Sequence, residues 1–199
     1  MAAAVFDRLH KRLLKPGLAW SGAGLQAAVL VALTDEPEPR VILSRRAQHL
    51  RLHPGEVAFP GGKREPEDVS PWATAIREAG EEIGIEPELV IPVGDLQPLI
   101  TRSKFEVHPC IAIVPPKFDM VVDSTELESV FMTPIAELAD PKNYRLEEMV
   151  DQGERRWVPH YQINDDNIWG VTARVLVQLV NIAVDACLPV TPHENLTGK

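Results

Sequence analysis

The segment from Ser70 to Gly84, SPWATAIREAGEEIG, constrains the fold more than any other. Ser70 is a good helix N-cap, Pro71 suits the first helical position, and Gly84 suits the left-handed residue that ends a helix. The spacing predicts a helix over Pro71 to Ile83. On a wheel at about 100° per residue, Trp72, Ile76, Ala79 and Ile83 gather into an apolar stripe. Glu78, Glu81 and Glu82 gather on a face roughly 150° away. Such a helix needs an apolar layer on one side. On the other it carries carboxylates at i,i+4, where like charges cost about 0.2–0.5 kcal/mol per pair. Either water solvates those carboxylates or a cation relieves them.

The remaining punctuation supplies the layer. Gly24 to Leu33 (GLQAAVLVAL) is an apolar run of strand length, and the turn residues TDEPEPR return the chain into a second strand, Val41 to Ser44. Strands are also expected at Val90 to Leu99, Val107 to Val114, Ser129 to Met132 and Trp157 to Ile163. Arg45 to Gly62 reads as irregular. Helices are expected at Val5 to Lys15, with Val5, Leu9 and Leu13 on one face, at Pro134 to Leu138 and at Gly170 to Ala186. Short strands with helices between them favour an α/β or α+β sandwich over a bundle. No Gly/Ser linker, long charge run or repeat divides the 199 residues, so one domain over 1–199 is expected, with a core at about 24–187 and a loose tail after Pro189.

A formal net charge of −9 argues against a general binder of nucleic acid or membrane surfaces, though not against a small anionic ligand met by a local basic pocket. Cys110 and Cys187 form no framework or metal spacing, and both are expected to be reduced and buried. The N-terminus is too charged for a signal peptide and no segment reaches the length of a membrane span, so a cytoplasmic location is expected.

Directly upstream of the acidic helix lies FPGGK, Phe59 to Lys63. Paired glycines let backbone N–H groups approach a ligand and turn tightly. Clustered carboxylates on a rigid helix suit a hard divalent cation that also takes phosphate oxygens. A glycine loop entering such a helix is a phosphate-handling layout.

Gly62 through Ile85, GKREPEDVSPWATAIREAGEEIGI, resembles the Nudix box, G-x5-E-x7-R-E-U-x-E-E-x-G-U with U apolar. Arg77, Glu78, Ala79, Glu81, Glu82, Gly84 and Ile85 match throughout. The first half departs: one extra residue is needed to align Gly62, and Asp68 then takes the first glutamate's position, with Glu65 and Glu67 nearby. The resemblance implies an α/β/α sandwich with a mixed sheet. It also implies that Glu78, Glu81 and Glu82 bind Mg²⁺ or Mn²⁺ and that Arg77 orients the glutamates by ion pairing.

A narrower likeness precedes the box. Ile42 to Gly62, ILSRRAQHLRLHPGEVAFPGG, is similar to the signature of the coenzyme A pyrophosphatase-type subgroup, L-L-T-x-R-[SA]-x3-R-x3-G-x3-F-P-G-G. Arg46, Ala47, Arg51, Gly55, Phe59, Pro60, Gly61 and Gly62 fall on its fixed positions. TRSKFEVHP, ELESVFMTPIAEL and IWGVTARVL further on also look like this subgroup. The likeness implies metal-dependent hydrolysis of coenzyme A or its acyl derivatives to 3′-phospho-AMP and 4′-phosphopantetheine. Arg46 and Arg51, with Gly61 and Gly62, are the candidate phosphate binders, although either arginine could serve a structural ion pair instead. Glu126 and Glu128, on a later loop, join the box glutamates as candidate general bases. His53 and His108 have no visible partner, Lys63 and Arg64 are weaker phosphate candidates that read as solvated, and Trp169 reads as a core aromatic. Two rivals stay open: another nucleoside diphosphate derivative such as ADP-ribose, NADH or an NDP-sugar, and a non-catalytic nucleotide-sensing module. Either way the partner is a small molecule, and a homodimer is compatible with the sequence.

Overall fold

The computed structural model describes residues 2–21, 24–151 and 153–191. Its centre is β1 (Leu25–Thr34), an apolar run that pairs on both edges. On one side it forms the expected antiparallel hairpin with β2 (Arg40–Arg46), in register Leu33 to Val41. On the other it runs parallel to β7 (Phe105–Val114) from Leu25–Phe105 to Thr34–Val114. A parallel neighbour requires a long crossover, and here the crossover carries the acidic helix.

The sheet continues with β3 (Val57–Ala58) and β8 (Leu127–Pro134) on β2, and with β5 (Ile91–Asp95) and β6 (Leu99–Ile100) on β7. The strand expected over Val90 to Leu99 is thus two pieces. Leu96 still donates its N–H to the Pro109 carbonyl of β7, but Pro98 has no N–H to continue a ladder. The stretch expected to be irregular holds β3 and β4 (Gly61–Lys63), and β4 pairs with β1 through Ala28–Gly62 and Val29–Gly61.

Alternation along β1 divides two cores. Ala28, Leu30 and Ala32 face α2 (Pro71–Ile83), where they meet Trp72, Ala75, Ala79 and Ile83. Val31 and Leu33 face the opposite layer, built from α1 (Ala2–Arg12) and α4 (Gly170–Val184) through Val5, Leu9, Leu176 and Leu179. Each fully buried side chain of this kind contributes about 1.5–3 kcal/mol. The architecture is the expected α/β/α arrangement around a mixed sheet. α1 stops at Arg12 rather than Lys15 because Leu14 exchanges two backbone hydrogen bonds with Asp95, which pulls the chain out of the helix.

Beyond α3 (Ile135–Ala139), β9 (Tyr144–Asp151), β10 (Glu154–Ile163) and β11 (Asp166–Trp169) form a separate antiparallel sheet in the order β11-β10-β9. Only β10 was legible. The charged YRLEEMVD run and the short DNIW lack an apolar alternation. Trp169 is 37% exposed and stacks on His160, so it is not a core aromatic. Cys110 is buried as expected, but Cys187 is exposed, in a left-handed conformation just after α4. The tail after Pro189 lies mostly beyond residue 191, outside the described residues. Among the described residues no helix is long and apolar enough to cross a membrane.

Candidate active site

The acidic helix forms with the expected bounds and caps. Ser70 Oγ accepts from the Ala73 N–H at 3.2 Å, and Gly84 closes the helix at φ 71°. Its glutamates, however, do not share one solvated stripe. Glu82 is 5% exposed, Glu78 is half-buried, and Glu81 reaches into water with 61% of its side chain exposed. The buried sector is wider than the apolar residues suggest, because β4 lies beside the helix as well as β1 beneath it. Glycines make that approach possible. A Cβ on Gly62 would stand 2.4 Å from the Glu78 carboxylate, and one on Gly61 would stand 2.4 Å from the Ala28 carbonyl. Ile76, expected in the apolar stripe, is only half-buried, while Ala75 is fully buried.

Burial sets the electrostatics. Desolvation raises the Glu82 carboxyl to about 7, against the hydrogen bond from the Gly61 N–H at 3.0 Å. The charges of Glu78 and Glu126 push it the same way, and that of Arg46 opposes them. Desolvation also raises Glu78, partly offset by Arg77.

Arg77 is the hub of the box. It donates to Asp68 through Nε (3.2 Å) and Nη2 (3.0 Å), to Glu78 (3.1 Å), to Glu81 (3.0 Å) and to the Lys63 carbonyl (3.1 Å). Asp68 is 5% exposed and also accepts from Thr74 Oγ1 and the Glu65 N–H. Burial pushes its carboxyl up, but these hydrogen bonds outweigh burial and hold it at about 2. Among the three acids near the first box position, Asp68 is therefore the one built into the structure. Glu65 and Glu67 are exposed, and Glu65 reaches Arg77 only at 3.8 Å. One participant had no sequence signal: Trp20 donates its indole N–H to the Asp68 carbonyl from 48 residues away.

A loop carries one later glutamate to the site. The N–H groups of Val121 and Asp123 satisfy the Ile83 and Glu82 carbonyls at the end of α2, at 3.1 and 2.9 Å. Glu126 follows, and its charge acts on both Glu78 and Glu82. Glu128 instead meets Gln48 (3.1 Å) and Arg45 (3.7 Å). Arg46 is half-buried and near enough to influence Glu82, whereas Arg51 is exposed in the loop between β2 and β3. His53 is exposed and paired with Glu56 at 2.8 Å; His108 is 4% exposed beside Trp20 and Glu106. Arg64, expected to be solvated, is exposed but lies over the Trp20 ring.

Among the described residues no three acidic, histidine or cysteine side chains close into a ready-made metal-ligand set. The donor chemistry nevertheless fits a hard cation. Glu78 and Glu82 are oxygen donors crowded by burial and by neighbouring carboxylates, Glu81 and Glu126 acting on Glu78, and Glu78 and Glu126 on Glu82, so a divalent ion would lower their energy. Glu81 is occupied by an exposed ion pair with Arg77 worth at most about 1 kcal/mol, which leaves it free to swing.

The chain is similar to known proteins over most of its length. The family described as NUDIX domain matches residues 24–178. A protein described as uncharacterized Nudix hydrolase NudL from Photorhabdus laumondii is 34% identical over 173 residues, covering 87% of this chain and 92% of that protein. Its namesake from an Enterobacter strain is 38% identical over 156 residues, covering 77% and 80%. Among solved structures, a NUDIX hydrolase from Alicyclobacillus acidocaldarius superposes with a TM-score of 0.52 at 19% identity, covering 87% of this chain and all of the other.

Proposed function

This chain belongs to the Nudix family, and from that premise we propose that it hydrolyses the diphosphate bond of coenzyme A or its acyl derivatives. The products are 3′-phospho-AMP and 4′-phosphopantetheine or its acyl form. The observation that carries the reading is the join at Gly61. The subgroup signature Arg46 to Gly62 ends there, and its last glycines bind and flank the box glutamates Glu82 and Glu78.

Glu78, Glu82 and a swung Glu81 would hold Mg²⁺ or Mn²⁺. Once bound, the ion neutralises charge on the diphosphate oxygens and makes an attacking water more acidic. The Gly61 N–H fixes Glu82 in one orientation, and Arg77 ties the helix to Asp68 and the glycine strand. Glu126 is the candidate base for the water's proton, since its charge already acts on the cluster. Glu128 is the weaker candidate, held by Gln48 and Arg45. Arg46 and Arg51 supply cations on the approach to the glycine strand, Arg46 from the edge of the cluster and Arg51 from a loop that would fold inward. The chain works as a single domain over 1–199.

The test is product analysis by chromatography and mass spectrometry. The protein is incubated with coenzyme A, ADP-ribose and NADH separately, with Mg²⁺ and with Mn²⁺, beside a Glu82→Gln variant. Metal-dependent 3′-phospho-AMP from coenzyme A, lost in the variant, is the expected result. Cleavage of another substrate alone would overturn the coenzyme A assignment, and turnover of none would favour a sensing module.

A further inference from the structure

Two cations follow the glycine pair directly, Lys63 and Arg64, and both are exposed. In a chain of net charge −9, basic side chains beside an acidic cluster would be expected to pair with it. These do not: among the described residues neither makes an ion pair with a carboxylate. Each is held by an aromatic ring instead. The Arg64 guanidinium lies 5.1 Å from the Trp20 ring centroid, and Lys63 Nζ lies 5.6 Å from that of Phe105. A cation–π contact positions a cation without neutralising it.

The other fixed partner of Arg64 is neutral. Its Nη1 donates to Gln26 Oε1 at 2.8 Å, and its N–H donates to the Gln26 carbonyl at 3.0 Å. Gln26 is buried and holds its amide in place with Nε2 toward Ser21 Oγ and Glu106. Glu106 is the nearby negative group, and it is already engaged by Ser21, Gln26 and His108. Beside these residues is an opening of about 240 Å³ between Gln26, Lys63, Arg64 and Phe105. Among the described residues the remaining guanidinium N–H groups of Arg64 have no fixed partner there, so they can take a doubly charged oxyanion.

The position is as informative as the charge. Gly62 abuts Glu78, and Arg64 lies two residues on, about 6.6 Å further along an extended chain, still paired with β1 through Gln26, so alternation returns its side chain to the face of Gly62 and sends Lys63 to the other. That is close to the reach of one ribose between a diphosphate and a phosphate on its 3′ oxygen. We propose that Arg64, supported by Trp20 and Gln26, is a specificity element that recognises a phosphomonoester on the ribose of the substrate's nucleoside half. The proposal deepens the coenzyme A reading and rests on it for the identity of the substrate.

The test is titration calorimetry of the full chain with adenosine 3′,5′-bisphosphate and with AMP, which differ only in the 3′-phosphate. The wild type is expected to bind the bisphosphate about tenfold or more tightly than AMP. Arg64→Gln is expected to bring that ratio near one, Arg64→Lys to retain part of it, and Lys63→Gln, on the opposite face, to leave it nearly unchanged. Circular dichroism and thermal melting check that each variant is folded, and Arg64→Lys, which keeps the charge, serves as the second variant if Arg64→Gln is not. A ratio near one in the wild type, a ratio unmoved by Arg64→Gln, or one lowered as much by Lys63→Gln, would overturn the subsite. Discrimination without hydrolysis of coenzyme A would sink the substrate reading and keep the subsite, whereas hydrolysis without discrimination would sink the subsite alone.

Discussion

The backbone N–H of Gly61 donates to Glu82 Oε2 at 3.0 Å, joining a glycine strand to a helix carboxylate 21 residues further along the chain. Glu82 is otherwise buried, and desolvation is what raises it. A carboxylate held in this way is poorly solvated and directional, which suits a cation ligand and is costly without one.

That cost sets a pH dependence. Glu82 is raised from 4.5 to about 7, so the metal-free fold binds a proton that the unfolded chain releases between those values. Its contribution to stability is fully present below pH 4.5 and is lost as pH rises through about 7, an effect on the order of 3 kcal/mol. Urea unfolding in the presence of chelator should show a lower midpoint at about pH 7.5 than at about pH 5, with a flatter profile in Glu82→Gln. Added Mg²⁺ should restore the wild-type midpoint at the higher pH and leave the variant nearly unchanged.

Asp68 works in the opposite sense. Its carboxyl is held at about 2 rather than 3.8, so the stability it contributes is present above 3.8 and is lost as pH falls through about 2. Asp68→Asn should cost roughly 2–4 kcal/mol at neutral pH, because Arg77 loses its most buried carboxylate while keeping Glu78 and Glu81. Denaturant midpoints of the two proteins should converge in strong acid; a gap that persists there would mean that packing, not charge, is responsible.

The two glycines should separate stability from activity. Gly61 has φ 150°, and its added Cβ would press on the Ala28 carbonyl, a rigid backbone atom. Gly61→Ala should therefore lower the melting temperature by several degrees, as a loss of about 1–3 kcal/mol would. The Cβ of Gly62→Ala would meet only the end of the Glu78 side chain, which can move. That variant should melt close to wild type and lose roughly 100-fold in kcat/KM through a displaced carboxylate.

Glu126 and Glu128 should differ although only one residue separates them. Glu126→Gln should lower kcat by about 100-fold or more and alter the pH–rate profile. Glu128→Gln removes contacts with Gln48 and Arg45 only, and should stay within a few-fold of wild type. Equal losses would argue that the loop as a whole, rather than the Glu126 carboxylate, is what matters.

Short-range chemistry was legible in the sequence. Ser70, Pro71 and Gly84 act on groups within a turn of themselves, so α2 forms with the bounds its punctuation specifies. The apolar run of β1 and the box residues Arg77 to Ile85 were readable for the same reason, since their pattern lies within a few consecutive residues. Tertiary structure decided what depends on remote partners. It buried Glu82 and left Glu81 in water, because β4 covers one side of the helix and the helix wheel contains no β4. It selected Asp68 from three nearby acids by surrounding it with Arg77, Thr74 and a strap carrying Trp20. It paired β9 and β11 with β10, although neither has an apolar alternation of its own. Capping and periodicity are properties of a segment, whereas desolvation and strand pairing are properties of whatever the rest of the chain places against it.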